Sequence, residues 1–555
     1  MTALSTETGS IDSTSTRAAR PWTRGITSGP VLRVLSVVVV LGAWQLIGQH
    51  YPYSMSSPEA IVKGAGQVLG GKVLPAFAQT MATFWTGYAI AVVVGVPVGI
   101  AMARVKIIRI ALEPYVLILY SMPMLATIPI LVIIFGISFP LRVAGVVLFA
   151  VFAIIVNTFT GASRVDAAFQ DVGRSYVASG PKRLTSIIFP GSLDYIFAGI
   201  RIGFAHGMIG AVVIEIEVSA VGMGNLLTTF SQELALGDFF VVVIVLGLFS
   251  IVCSYLIRHA ERWSTQPWQR KHHLPGITLP HLRGSTLRKP KRARPRLARV
   301  TAWFEAGLGA WVVRAVVLAI ILGAWQLASE HYSRAVLPGP VPVAKAAYQL
   351  TVENHKIFGP LLDSLELLFA GFALAVVLGI PIGLAMGRFR WFENIADPYV
   401  SFLYGLPHVV FVPLMVVWLG FGFKFGLAYV TVSAIFPVII NTMQGVKSID
   451  QEYIDAGRSF CASERTILRT IVLPAATPFM VAGARLAFSV SWIGVIISEV
   501  LSSNTGLGGM IDTFSNNYQT ADMFVPVLYI AAISVIILQL CTRYQPRLTP
   551  WHTAS

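Results

Sequence analysis

Residues able to do chemistry are sparse in this chain. The stretch Gly66-Gln-Val-Leu-Gly-Gly71-Lys72 matches the G-x-x-x-x-G-K pattern that cradles phosphates. Such a loop needs Ser or Thr next, to ligate Mg²⁺, and Val73 stands there instead. Nucleotide binding is therefore not expected at this stretch. Ionisable groups inside long apolar runs are costly and often functional; here they are Arg201, Glu215, Arg485 and Glu499. Fourteen residues separate Arg from Glu in each pair, about 21 Å along a helix, so the two members cannot meet. Glu215 and Glu499 read as structural groups. Arg201 and Arg485 read either as structural groups or as residues lining a path. His206 and His408 are further candidates for contact with a solute, against the plainer reading of packing histidines. Neither has a second ligand three or four residues away, so no metal is expected. Cys253, Cys461 and Cys541 are too few and too scattered for a disulfide framework or a thiolate metal site. No catalytic residues and no cofactor are expected.

The elements that must position these residues follow from composition. Of 555 residues, 55% are hydrophobic and only 12% charged, against about 25% charged in a soluble domain. Mean hydropathy is +0.71. An ordinary soluble enzyme is excluded, and so is disorder over most of the chain. A membrane span needs about 20 apolar residues. Candidates lie at 31–49, 80–103, 113–137, 141–163, 193–219 and 238–257, and again at 308–328, 364–387, 397–421, 425–446, 477–503 and 522–541. The expectation is an all-α polytopic membrane protein with twelve transmembrane helices.

The second set of six repeats the first. Gly95-Val-Pro-Val-Gly-Ile-Ala-Met-Ala-Arg104 returns as Gly379-Ile-Pro-Ile-Gly-Leu-Ala-Met-Gly-Arg388, an offset of 284. At that offset Pro123 meets Pro407, Asn157 meets Asn441, Arg201 meets Arg485 and Glu215 meets Glu499. His206 and His408 break the repeat, being matched by Val490 and Met124. Asymmetric polar groups suit an asymmetric solute. Asn157 and Asn441 are expected to bond between helices. Six spans is an even number, so the two halves are parallel repeats about an axis along the membrane normal, with a central interface for a path. The expected organisation is a disordered tail over 1–30, a first six-span half over 31–257, a basic linker over 258–303 and a second half over 304–545.

Charge orients the chain. Net charge is +15. Between Arg258 and Arg299 stand twelve Lys/Arg and one acid, Glu261. Apolar spans flank this stretch and no aromatic interleaving suggests base stacking. It reads as an inner linker near anionic lipid, with no nucleic-acid partner. The loops 220–237 and 504–521 hold no Lys or Arg and are expected outside. Both termini are then cytoplasmic.

Between the fourth and fifth spans of each half lies a polar segment that reads as two short helices joined by a turn. One runs from Asp171 to Pro190 and the other from Asp455 to Pro474. Each ends on a proline that opens the next span, where a missing N–H costs least. These segments are similar to the EAA loop of ABC-importer permeases, which runs Glu-Ala-Ala, then Gly at position 7, Ile at 17 and Leu-Pro at 19–20. Here Asp455-Ala456-Gly457, Ile471, Leu473 and Pro474 match, as do Asp171, Gly173, Ile187 and Pro190. The motif glycine is absent twice, Val177 and Cys461 standing in its place. More widely, Gly379–Met510 resembles the permeases of sulfonate, taurine and nitrate importers, through Gly-Ile-Pro-Ile-Gly-Leu (379–384), Asp-Pro-Tyr (397–399), Ala-Gly-Arg-Ser (456–459) and Leu-Pro-Ala-Ala (473–476).

The resemblance implies a type I ABC importer permease fold in a bacterial plasma membrane, here two protomers fused. It implies two cytosolic ABC ATPase subunits as partners and an extracytoplasmic solute-binding protein. Asp171, Gly173, Arg174 and Ser175, with Asp455, Gly457, Arg458 and Ser459, would form the surface coupled to the ATPases. A twelve-span secondary transporter driven by an ion gradient is the alternative. It would place acidic coupling groups near the midplane, whereas Glu215 and Glu499 lie near span ends.

Overall fold

A computed structural model describes residues 29–51, 55–165, 182, 184–218, 221–272, 308–331, 337–503 and 505–548. The tail over 1–28, most of the basic linker and the first inner loop from Asp171 to Ser175 lie outside the described residues. Among the described residues there is no strand.

The first half comprises α1 (Gly29–His50), α2 (Pro58–Val68), α3 (Leu74–Arg104), α4 (Lys106–Ser121) and α5 (Ile128–Phe135). It continues with α6 (Phe139–Arg164), α7 (Phe189–Glu217), α8 (Met223–Gln232) and α9 (Leu236–His272). The second half repeats this order with α10 (Leu308–His331), α11 (Pro340–Tyr348), α12 (Phe358–Arg388), α13 (Arg390–Gly405) and α14 (Val412–Leu419). It goes on through α15 (Phe423–Lys447), two short helices α16 (Gln451–Ser459) and α17 (Glu464–Ile467), then α18 (Leu473–Ser498), α19 (Gly506–Asn516) and α20 (Thr520–Leu548). Ten helices are long and apolar enough to cross a membrane, or up to twelve if each of two bent pairs is one span. The helix α9 runs fifteen residues past the expected end of the sixth span at 257, into the polar stretch that carries Glu261.

The bent pairs are the third expected span of each half. Neither is a straight helix: α4 and α5 meet at 102°, and α13 and α14 at 92°. Proline forces the residue before it out of the helical region. Met122, before Pro123, has ψ 136°, and Leu406, before Pro407, has ψ 142°. A single 3₁₀ turn follows each proline, Met124–Thr127 and His408–Phe411.

Each half is held by small residues in register. On α3, Gly87, Ala91, Gly95 and Gly99 recur every four residues and face α6. A methyl group on Gly95 would lie 2.9 Å from Ile154 Cγ2, and one on Gly99 would lie 2.7 Å from Thr158 Cβ. The stripe Gly371, Ala375, Gly379 and Gly383 on α12 meets α15 in the same way, with Gly383 against Thr442. Close backbone approach of this kind replaces the hydrophobic drive that lipid cannot supply. Asn157 and Asn441 belong to these contacts by their Cβ atoms, packed on Gly199 and Gly483 of the fifth span. Among the described residues their amides do not bond between helices as expected. Each donates back along its own helix, to Ala153 O and Pro437 O, both at 2.8 Å. The glycine across each contact offers no side-chain acceptor.

The halves exchange their first helices. The helix α1 packs on α13 of the second half, and α10 packs on α4 of the first. Tyr115 Oη donates to Arg314 O at 3.2 Å, and its repeat mate Tyr399 donates to Ser36 Oγ at 3.4 Å. Both exchanged helices expose most of their apolar length, with Val34 65% and Ile320 63% exposed. That surface fits lipid rather than water.

Candidate coupling and pathway sites

The polar loop between the fourth and fifth expected spans of the second half has the two-helix form expected of it. Helix α16 ends at Ser459, a turn follows, and α17 opens with Ser463 Oγ accepting from the Thr466 N–H at 3.2 Å. Cys461 stands where the motif has glycine, and it adopts φ +55°. The left-handed turn is therefore kept, although the residue that makes it cheap is gone. Gly457 packs close to Ile471: a methyl group there would lie 3.0 Å from Ile471 Cδ1. Two motif positions fourteen residues apart thus fit one another. Beneath them Val446, Ile467, Val472 and Ala476 form a small apolar core that fastens the pair to the end of the bundle.

The polar face of this pair is tied to itself and to the bundle. Arg458 meets Asp455 at 3.6 Å and Glu464 at 3.3 Å. Glu464 also receives Arg388 from the end of α12. Ser459 Oγ donates to Asp455 O at 2.9 Å. Asp455, Arg458 and Ser459 are all exposed, and Phe460 at the turn is 87% exposed. Sequence reasoning did not single out Arg388, Glu464 or Phe460. In the first half Gly180 occupies the position of Glu464, and Arg104, the mate of Arg388, donates to Ala162 O at 2.8 Å instead.

Pro190 and Pro474 sit in the first turn of α7 and α18. In each case a π turn, Leu184–Ile188 or Leu468–Val472, precedes the proline. Shifting the ladder by one residue absorbs the missing donor and keeps the helix continuous. Helical structure therefore runs unbroken from Glu464 to Ser503, about 60 Å at 1.5 Å per residue.

At the far end of that run stands Glu499. Its Oε1 accepts from Ser364 Oγ at 2.6 Å, and its Oε2 accepts from the Gly508 N–H at 2.9 Å. Ser364 Oγ in turn accepts from the Leu507 N–H at 2.9 Å. Glu215, Thr80, Met223 and Gly224 build the same network in the first half. Both carboxylates are about 1% exposed. Buried carboxyl groups need such partners. Each network ties the end of the fifth span to the start of the second and to the short helix that follows. Thr80 and Ser364 were not recognised in the sequence; their shared place in the repeat was the available signal.

The other charged and polar candidates separate. Arg201 bonds Glu261 of α9 at 3.1 Å, which gives it a structural partner. At the matching position the second half has Gln545, and Arg485 lies half-buried on α18. His206 lies half-buried on α7. His408 lies on the 3₁₀ turn His408–Phe411, which packs against α7 across the interface between the halves. Its ring stacks on Phe436 with centroids 5.5 Å apart. Gly66 to Lys72, the phosphate-loop look-alike, is helical throughout, in α2 and the π turn Leu69–Val73. Its N–H groups are spent on the helix.

The chain is a duplicated helical bundle with a sharply bent helix pair in each half and, in the second, a two-helix loop before the fifth long helix; comparison with known proteins shows its class. The profile of binding-protein-dependent transport system inner membrane components matches twice, at residues 95–266 and 375–550. The two matches cover more than half of the chain, and the chain belongs to that family. It is an ABC transport permease, a multi-pass protein of the inner membrane, of a family that works with an ATPase and a binding protein. Similar proteins include a probable ABC transporter permease protein of Brucella melitensis, 30% identical over 42% of this chain and 94% of that protein. A putative aliphatic sulfonates transport permease protein of Bacillus subtilis is 27% identical, over 44% of this chain and 89% of its own. The taurine transport system permease protein of Escherichia coli is 30% identical, over 42% and 88%. Each relative is the length of about one half.

Proposed function

We propose that this chain is the complete membrane path of an ATP-driven importer, two protomers in one polypeptide, for a small solute handed over by an extracytoplasmic binding protein. The solute class, a sulfonate, taurine, nitrate or similar small anion, comes from likeness to relatives. Two cytosolic ATPases dock on the inner loops, one around Asp171, Gly173, Arg174 and Ser175, the other around Asp455, Gly457, Arg458 and Ser459. Both termini and the basic linker lie on that same cytosolic side, as the Lys and Arg bias requires. The protein hydrolyses nothing itself.

The observation that carries this reading is the pair α16–α17. Its outer face is exposed and charged, its inner face is fastened by an apolar core, and it continues without a break into α18. A partner that moves α16–α17 therefore moves α18 as a lever. At the other end Glu499 passes the movement to α12 and α19. The halves then rock about their common axis and open the path to alternate sides. Arg201, His206, His408 and Arg485 are the residues of the fifth spans and the seam from which contacts to the solute would be drawn.

Co-purification tests the reading. An ATPase should accompany the wild-type chain from gently solubilised native membranes and be lost from the Arg174→Glu, Arg458→Glu double variant. If no ATPase accompanies the wild type while a known importer remains intact in the same preparation, the reading fails.

A further inference from the structure

The seam between the halves is built twice, and its two copies differ where they should match. In one copy the turn His408–Phe411 packs against α7; in the other, the turn Met124–Thr127 packs against α18. At the 284-residue offset, His408 is matched by Met124, and His206 on α7 is matched by Val490 on α18. His408 and the helix that carries His206 therefore meet at one copy of the seam, and Met124 and the helix that carries Val490 meet at the other. A permease built from two identical chains repeats every residue at both copies. A fused chain is free to make them different.

The histidine copy carries an unmet group. His408 is held in place by its stack on Phe436. Its Nε2 is buried and meets no hydrogen-bond partner among the described residues. Buried polar atoms are normally satisfied, so a ring nitrogen fixed at the seam marks a place for a polar group that arrives and leaves. Imidazole donates through a ring N–H and, when charged, through both nitrogens. An anionic oxygen is the matching acceptor, and charge-assisted bonds of this kind are the strong ones. Thioether and isopropyl groups at the other copy offer only apolar contact.

We propose that His206 and His408 form the specificity-determining half of a polarised path. They take the anionic head of a small amphipathic solute while Met124 and Val490 take its apolar body, so the solute crosses in one orientation. This rests on the importer reading and adds to it the placement and polarity of the cargo. A compact inorganic anion leaves the apolar copy without a role, and a neutral apolar molecule leaves the histidines unpaired.

The test is binding to the purified full chain, read by thermal stabilisation and titrated with benzenesulfonate, with inorganic sulfate and benzyl alcohol as comparisons. The wild type should be stabilised by benzenesulfonate and by neither comparison. The variant His206→Val, His408→Met should bind about tenfold more weakly, a loss of about 1.4 kcal/mol. Adding Met124→His and Val490→His moves the pair to the other copy and should restore binding to within about threefold. A merely structural role for the histidines would not be rescued by that transplant. Absence of binding by the wild type, equal response to sulfate, an unaffected double variant, or a folded transplant that stays weak each overturns the proposal. ATPase co-purification is independent of all four results, so failure here is distinct from failure of the importer reading.

Discussion

The hydroxyl of Thr80 donates to Glu215 Oε2 at 2.8 Å while accepting from the Met223 N–H at 2.9 Å. One small side chain thus joins three elements: α3, the end of α7 and the start of α8. Ser364 does the same for Glu499 and the Leu507 N–H. Removing the hydroxyl leaves a buried carboxylate short of a donor and a buried N–H without an acceptor.

Thr80→Val should therefore destabilise the chain by about 1–3 kcal/mol, the cost of stranding buried polar groups. Ser364→Ala should cost a similar amount. Thermal unfolding of the purified protein measures both. A double-mutant cycle of Thr80→Val with Glu215→Gln should give coupling well above zero; additive losses would mean that the two residues act separately.

The glycines beside these carboxylates resist replacement on two grounds, backbone and space. Gly222 has φ +96°, and a methyl group there would lie 2.3 Å from Glu215 Cδ; Gly506 has φ +70° and would place one 2.0 Å from Glu499 Oε1. Gly222→Ala or Gly506→Ala should cost about 2–4 kcal/mol from backbone strain and overpacking. Gly66→Ala meets nothing within 4 Å in a helix and should instead stabilise by about 0.5–1 kcal/mol. Unfolding midpoints of the three variants decide between these signs.

The turn of the second inner loop carries strain at Cys461, with φ +55°. Cys461→Gly should stabilise the loop by up to about 1 kcal/mol, and Cys461→Val should destabilise it by a similar amount. Hydrogen exchange across 455–467 reads this locally. Faster exchange in the glycine variant would contradict it.

Arg201 and Glu261 are joined at 3.1 Å, with the arginine side chain 41% exposed. Such a partly exposed pair is worth about 0.5–1 kcal/mol. Arg201→Glu should lose stability, and the exchange Arg201→Glu with Glu261→Arg should recover most of it. If the exchange recovers nothing, Arg201 serves some purpose other than this pair.

Much of the fold was legible because the chain states it twice. The apolar runs and the matched prolines Pro190 and Pro474 located the spans, and the spacing from Asp455 to Pro474 located the two-helix loop. The break in each third span was not read, although Met122-Pro123 and Leu406-Pro407 carried its signal: a residue before proline leaves the helical region. Asn157 and Asn441 were misread because their partners across the contact, Gly199 and Gly483, have no side chain to bond. The network of Glu215 and Thr80 spans 135 residues of sequence, and Arg388 lies 76 residues from Glu464. Hydropathy and spacing along one chain carry no record of pairings at that range. The turn at Cys461 shows the converse: its left-handed backbone persists where its usual residue is missing, so the absent glycine was weaker evidence against the motif than it looked.

The central claim is that α16–α17 is where an ATPase pushes. A photo-crosslinking residue in place of Phe460, the 87% exposed side chain at the turn, tests it directly in native membranes. A crosslink to a nucleotide-binding ATPase subunit is expected, with a yield that changes on addition of ATP. Crosslinks to lipid alone, or to no ATPase in membranes where a known importer crosslinks to its own, would contradict it.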